Sequence, residues 1–482
     1  MTDNIKFIHT ADLHLGRPLS SGKKPPERLR NIFNNAGYKV WENICELAID
    51  QEVEFVLVSG DLYDREARSV RASRNFIEQC KRLENAGINV YAIYGNHDPL
   101  GRKKELFPLP QNVYFFSSEE VENLSHKTAN STEGPPEDEA KLVEIMGQSY
   151  RSKFESRKMY TYYTSQERSL FKLGLLHTQL DPDNKRYVPV SRQDLRAKEN
   201  IDYWALGHIH QPEVLHTNLP VILYPGIPQA RNIKETGIKG CFLVELTAGK
   251  SQKRIKINFV PLCEVVFAQV KVDISRNKIL KNSSENLRQG DEESLQNLTD
   301  LKNLLANEAE QFLQRDLNSR INFSGSEKVD IITPPKGCEK PKGFVVRWLV
   351  TGHNSIHELI AQDRDNVEKE LARQLNRAFA ASGQEPFLWT HSLRFRTSPE
   401  LPDREEIKNN ELYGEIKSVL EEIKGDENLK KSLINEWGEI WQGSSEPEDR
   451  RNDRFYPDEE TIEEILQAAH EQIITHLFSA DK

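Results

Sequence analysis

The chain has 482 residues, 37% of them hydrophobic and 29% charged, which exceeds one ordinary core, predicts about three units and argues against wholesale disorder. Its formal net charge of −10 at pH 7 weighs against a nucleic-acid partner unless something local supplies positive charge. No run of about 18 apolar residues occurs and the N-terminus goes from polar Thr2, Asp3 and Asn4 into a strand-like segment, so neither a membrane protein nor a secreted precursor is expected.

Short apolar strands alternate with helical patterns over the first half, the signature of a layered α/β fold. Strands are predicted at 5–10, 55–59 and 88–94. Between them Ala36, Val40, Ile44, Leu47 and Ala48 recur with helical spacing, as do Phe76, Ile77, Cys80 and Leu83 before Gly87, a candidate C-terminal cap. Residues 117–140 are polar, acidic and contain Gly-Pro-Pro, and read as a surface loop. Strands follow at 142–148, 171–176, 203–206, 221–224 and 241–246, and the unit closes near 262.

From residue 265 a β-α-β-α-β pattern begins. Ala268, Val270, Val272 and Ile274 alternate as a strand, and Leu298, Leu301, Leu305 and Phe312 mark a helix. Strand 344–350, a helix through Leu371, Leu375 and Phe379 and a strand near 393–396 complete it. After Pro402 the stripes Leu412, Ile416, Val419, Leu420, Ile423 and Leu429, Leu433, Trp437, Ile440 precede a linker at 444–454. A third stripe contains Ile462, Ile465, Leu466, Ala469 and Ile473. Each stripe needs an apolar cover, either the protein's own body or a partner helix or coiled coil. The five cysteines, Cys45, Cys80, Cys241, Cys263 and Cys338, are scattered, which predicts free thiols in a reducing cytoplasm.

Five polar clusters stand directly after five apolar strands: ADLH at 11–14, GDLYD at 60–64, GNHD at 95–98, LHT at 176–178 and GHIH at 207–210. Strand carboxyl ends gather on one edge of an open α/β sheet, so these positions are expected to converge. Asp12 and His14, two apart on an extended segment, are predicted to leave the same face, with His208 and His210 repeating the device. Glycines 60, 95 and 207 are read as sharp turns. Carboxylate, amide and imidazole suit manganese, iron or zinc.

The number of ligands favours two ions. Asp12, His14 and His210 are assigned to the first, Asn96, His177 and His208 to the second, and Asp61 to a bridge. Two ions about 3.5–4 Å apart polarise a phosphate and activate a water. They also add about four positive charges, which with Lys23-Lys24 and Arg102-Lys103-Lys104 offset the acidity. His97 is expected to serve the leaving oxygen and Asp98 to orient its ring. His9 reads as core or as support for the ligands. His126, His216, His353, His357, His391, His470 and His476 lack partners at motif spacing.

Asp12-x-His14, the GD at 60–61, GNHD, His177 and GHIH resemble the calcineurin-like metallophosphoesterase superfamily over residues 5–262. FIHTADLHLG, VSGDLYD, YAIYGNHDP, LGLLHT, DYWALGHIH and PGIPQARNIKETGIKG are similar to the bacterial SbcD-type DNA repair exonucleases, in particular the YhaO-like branch. The resemblance implies an α/β fold with a β-sandwich-like layered core and flanking helices, spanning 1–264. It further implies a small α/β capping domain over 265–400 and a helical partner-binding segment over 401–482. Manganese-dependent cleavage of DNA, a homodimer and docking on an SbcC-like or YhaN-like coiled-coil ATPase are implied with them. One position departs: archaeal and eukaryotic relatives carry histidine three residues after the bridging aspartate, where this chain has Asp64, which leaves exonuclease against endonuclease preference open. The alternatives are another phosphoesterase on the same fold and a metal-free scaffold.

Overall fold

The computed structural model describes the chain from Asp3 to Ile473 apart from residues 65–68, 102–105, 128–141, 166–170, 249–252, 276–294, 316–320, 322–328, 339, 381–382, 384, 400–410, 427–428, 431, 433–464, 467–468 and 470–472. The basic segment 102–104, the stripe at 433–440, the linker at 444–454, Ile462, His470 and His476 therefore lie outside the described residues. The chain divides into two compact units, Met1–Val270 with Ala309–Arg347 and Ala372–Ser392, and Lys271–Glu308 with Trp348–Leu371 and Leu393–Lys482.

The first unit opens with β1 (Asp3–Thr10), α1 (Glu27–Asp50), β2 (Phe55–Ser59), α2 (Val70–Asn85) and β3 (Asn89–Ile93). On α1 the apolar positions at three- and four-residue spacing, Ala36, Val40, Ile44, Leu47 and Ala48, are all buried, because one stripe of an amphipathic helix faces the sheet. Ser69 caps α2 by accepting from the Ala72 amide at 3.1 Å. Gly87 follows that helix in the left-handed region, φ 74°, the conformation in which glycine commonly closes a helix C-terminus.

The remaining strands are β4 (Val113–Phe115), β5 (Glu122–Lys127), β6 (Leu142–Gly147), β7 (Phe171–His177), β8 (Tyr203–Gly207), β9 (Glu213–His216), β10 (Val221–Tyr224), β11 (Gly240–Ala248) and β12 (Lys253–Pro261), with a short α3 (Arg192–Arg196) before β8. They form two sheets, as the β-sandwich-like layered core implied by the family resemblance requires, although the apolar runs alone read as one open sheet. Strands β1 to β4 pair in parallel and continue through antiparallel β11 and β12. The order β5-β6-β7-β8-β10-β9 makes the second sheet. Residues 122–127, expected in a loop, are its edge strand, antiparallel to β6. Their polar composition misleads because an edge strand needs only one covered face. β14 (Asp330–Ile331), also unforeseen, pairs with β12.

Between the sheets, His9 on β1 accepts at Nδ1 from the Tyr203 hydroxyl at 2.9 Å and lies 3.1 Å at Nε2 from the Leu206 carbonyl. His9 is thus a fully buried core residue joining the layers.

Strand β13 (Val265–Asp273), α4 (Leu298–Gln314), β15 (Gly343–His353), α5 (Ile356–Gln362), α6 (Arg364–Phe379) and β16 (Phe387–Ser398) carry the later β-α-β pattern, and a three-stranded sheet runs in the order β13-β15-β16. Within the second unit the Ile274 amide donates to the Thr351 carbonyl at 2.8 Å and the Asn354 amide to the Ser398 carbonyl at 3.1 Å. α7 (Glu411–Gly425) buries no residue, and Leu412 and Val419 on its predicted stripe are exposed. Cys45, Cys80, Cys241 and Cys263 are buried free thiols, and Cys338 is a partly buried one. No described helix is long and apolar enough to cross a membrane.

Candidate metal centre

Three of the predicted clusters leave β1, β2 and β3 of one sheet and two leave β7 and β8 of the other, and all five meet. Ligand atoms of Asp12, His14 and His210 lie within 4.8 Å of one another, as do those of Asp12, Asp61 and His177. The Asn96 side-chain oxygen lies 2.9 Å from His177 Nε2 and 3.0 Å from His208 Nδ1. A third group, His14, Asp64 and His97, is equally tight, so Asp64 belongs to the site although no metal role is predicted for it from the sequence.

The backbone holds these residues differently from the extended geometry expected. Asp12, His14, Asp61 and His208 have φ of 53°, 42°, 51° and 102°, a region that costs a side-chain-bearing residue about 1–3 kcal/mol and persists only where the surroundings enforce it. Enforcement comes from strand-end hydrogen bonds: the Asp12 amide donates to the Gly60 carbonyl and the His14 amide to the Asp61 carbonyl, each at 3.0 Å. Gly60, φ 94°, does serve a turn. Gly207 is required for another reason, because a Cβ there would stand 1.9 Å from the Ser59 carbonyl oxygen.

Hydrogen bonds then aim the rings. His177 Nδ1 faces the Ser59 carbonyl at 2.9 Å; a carbonyl only accepts, so Nδ1 carries the proton and Nε2 is directed into the site. His210 Nδ1 donates to Glu235 Oε1 at 2.9 Å, the carboxylate-histidine arrangement that orients metal ligands. Asp12 uses Oδ2 to accept from the His208 amide at 3.0 Å, and Asp61 uses Oδ1 to accept from the His97 amide at 2.8 Å. What remains is a set of buried atoms with nothing to bind: Asp12 Oδ1 and both ring nitrogens of His14 have no hydrogen-bond partner among the described residues. Buried polar atoms are normally satisfied, and the lone-pair nitrogen of the neutral His14 ring together with the Asp12 oxygen makes a suitable donor pair for a divalent ion.

The charges of the site are mutually dependent. Burial disfavours the Asp61 carboxylate, yet His177 and His14 hold its pKa far below the usual range. Burial likewise opposes a charged His177, yet Asp61 and Asp12 push it up to about 9. His208 drops to about 3 through burial and the neighbouring His177, and burial lowers His14 as well. The protein thus gathers carboxylates that call for positive charge, answered in part by His177, while His14 and His208 stay neutral and free to donate lone pairs.

Asp98 is not placed to orient His97 as expected. Its two oxygens accept from the Tyr63 amide at 3.0 Å and the Gly95 amide at 2.9 Å, which fixes the GNHD turn. The carboxylate near the His97 ring belongs to Asp64, 3.6 Å from Nδ1. Asp64 stays ionised: burial acts against its charge, but Arg17, which hydrogen-bonds it, and Arg231, 3.5 Å away, lower its pKa. Arg231 and Glu235 lie within PGIPQARNIKETGIKG, a segment that carries the family resemblance, but neither is given a role from the sequence, since neither sits in a strand-end cluster. The Arg231 Nε and Nη1 groups are buried beside the ligands without hydrogen-bond partners among the described residues.

Residues 5–212 match the family described as Calcineurin-like phosphoesterase. The "Uncharacterized metallophosphoesterase YhaO" of Bacillus subtilis is 35% identical over 280 residues, 58% of this chain and 65% of that protein. The "DNA double-strand break repair protein Mre11" of Archaeoglobus fulgidus is 27% identical, over 48% of this chain and 52% of that protein. The SbcD component of the nuclease SbcCD of Bacillus subtilis is 23% identical, over 51% of this chain and 67% of that protein. The matches thus span between about half and two thirds of the lengths of these relatives. Five strand-end clusters that meet in candidate groups for divalent ions, within the stretch that the family model matches, make the N-terminal part of this chain similar to the calcineurin-like phosphoesterases in its site as well as in its sequence.

Proposed function

We propose that the chain is a manganese-dependent DNA nuclease that hydrolyses phosphodiester bonds with two metal ions, in DNA repair or end processing. The observation that carries this reading is the cluster of buried, unpartnered donor atoms on Asp12 and His14 beside His210, Asp61 and His177. Asp12, His14 and His210 would hold one ion, Asn96, His177 and His208 the other, and Asp61 both. Such ions supply charge that polarises a phosphate and lowers the pKa of water.

The chain's own groups do the rest. His97, partly exposed with 38% of its side chain accessible, is the proton donor or hydrogen-bond donor to the leaving oxygen, and Asp64 on the Nδ1 side steadies its ring. Arg231, whose Nε and Nη1 groups have no hydrogen-bond partner among the described residues although Nη1 stands 3.5 Å from Asp64, binds non-bridging phosphate oxygens. Residues 1–264 make the nuclease domain and 265–400 a capping domain for DNA. The helical segment 401–482 docks on an SbcC-like or YhaN-like coiled-coil ATPase, which the uncovered stripe of α7 supports. A homodimer in a reducing cytoplasm completes the reading.

The test is elemental analysis of the purified protein together with incubation in manganese with linear duplex DNA, single-stranded DNA or a phosphopeptide. Nucleotide release from DNA is expected. Phosphate release from the peptide with intact DNA would assign a phosphatase, and no turnover with no bound metal would assign a scaffold.

A further inference from the structure

Away from the ligand clusters, the first unit carries an exposed aromatic ring set between cations. Phe154 is 53% exposed, with Lys153 Nζ 5.6 Å and the Arg186 guanidinium carbon 5.8 Å from its ring centroid. A single exposed apolar side chain needs no explanation, but this one sits in RSKFESRK, residues 151–158, where four basic residues face one acidic in a chain of net charge −10. That acidic residue, Glu155, is buried and already engaged, accepting from Arg157 Nη2 at 2.6 Å and Nε at 2.8 Å.

The ring and its cations are held by backbone pairing. The Glu155 amide donates to the Arg186 carbonyl at 2.9 Å and the Val188 amide to the Glu155 carbonyl at 2.8 Å, so Phe154 and Arg186 stand on adjacent segments. Tyr187, next along, packs its ring on that of His208 with centroids 4.5 Å apart. The strip therefore reaches the edge of the metal-ligand cluster.

We infer that Phe154, Lys153 and Arg186 form a stacking platform for single-stranded nucleic acid, delivering a strand to the His208 edge of the metal centre. An unpaired base stacks on an aromatic face whatever its sequence, while neighbouring cations take the phosphates on either side. A duplex keeps its bases stacked inside and offers the ring nothing comparable. The inference rests on the phosphodiesterase reading of the adjacent centre and narrows its substrate to strands or ends with unpaired bases.

The experiment measures binding of a fluorescein-labelled oligothymidylate of about 15 nucleotides, matched to typical single-strand site sizes, by the full chain in EDTA, with a blunt duplex as comparison. Phe154→Ala is expected to weaken oligothymidylate binding about 10-fold and leave duplex binding alone, while Phe154→Trp keeps it and has its fluorescence quenched. Lys153→Ala with Arg186→Ala is expected to reduce the salt slope by about 1.4, two phosphate contacts on a single strand. Unchanged binding in Phe154→Ala, or equal loss for duplex and single strand, overturns the platform. So does a dimer in gel filtration that Phe154→Ala converts to monomer, since the ring then belongs to a contact between copies. Hydrolysis of bis(p-nitrophenyl) phosphate by the unaltered protein tests the phosphodiesterase reading separately: its absence, with the binding losses intact, sinks that reading and leaves the platform.

Discussion

Asp64 Oδ1 stands 3.6 Å from His97 Nδ1, while the nearer sequence neighbour Asp98 gives both its oxygens to backbone amides. Two carboxylates that look interchangeable from the sequence therefore answer mutation differently. Asp64→Asn should keep fold and metal content while lowering kcat on bis(p-nitrophenyl) phosphate about 10-fold, because a ring without its charged neighbour is less well aimed at the leaving oxygen. Asp98→Ala should instead cost about 1–3 kcal/mol of stability, the penalty for buried amides left without an acceptor. Denaturation curves and steady-state kinetics on both variants decide; equal kinetic losses at unchanged stability would remove the distinction drawn here.

Glu235 offers a second separation, between holding a ligand and being one. Its carboxylate accepts from His210 Nδ1 at 2.9 Å and from the Arg231 amide at 2.6 Å, and its pKa is lowered to about 2 because His210 and Arg231 outweigh the effect of burial. Glu235→Gln should weaken manganese binding about 10- to 100-fold, the usual cost of losing a partner that orients a ligating histidine. Titration of the metal-free protein with manganese reads this directly, and an unaltered affinity would place Glu235 outside the metal site's support.

How far such relationships can be read beforehand depends on whether a local pattern marks them. The ligands stand out because each follows an apolar strand, where a polar cluster has no other reason to repeat five times. Asp64 lies inside one of those clusters, yet its role turns on Arg17 and Arg231, which reach it from elsewhere in the chain. Glu235 and Arg231 sit in the irregular stretch between β10 and β11, where no periodicity fixes a direction for a side chain. The partition into two sheets is hidden for a related reason: buried strands of either sheet read as the same apolar run. The left-handed backbone at Asp12 and His14 is also invisible locally, since hydrogen bonds from the β2 end impose it.

The close approach at Gly207 makes a third prediction. A methyl group at this position would meet the Ser59 carbonyl oxygen at 1.9 Å and His177 Nδ1 at 3.0 Å, the two atoms whose hydrogen bond sets the direction of His177. Backbone cannot yield as a flexible side chain can, so Gly207→Ala should push β8 away from the end of β2 and turn His177 out of line. Manganese affinity is expected to fall by more than about 10-fold, with the rest of the sheet still formed by circular dichroism. Full affinity in this variant would mean that the junction is looser than its spacing indicates.

His9 links the core to pH. Its pKa is depressed from 6.5 to about 3 by burial, against the opposing bond to the Leu206 carbonyl, so the folded protein keeps the ring neutral where the unfolded chain would protonate it. Between those two values the unfolded state binds more protons, and stability must fall as pH drops from about 6.5 towards about 3. The shift bounds the effect at roughly 5 kcal/mol. His9→Gln should be less stable than the parent at pH 7 by about 1–3 kcal/mol, having lost buried hydrogen bonds. Glutamine does not titrate, however, so the gap must narrow, and can reverse, as the medium is made acid. Urea denaturation of both proteins at pH 7, 6, 5 and 4, four points chosen to span the window roughly, measures the slope. A gap that stays constant across that range would show that His9 accepts its proton without opening the interface between the sheets.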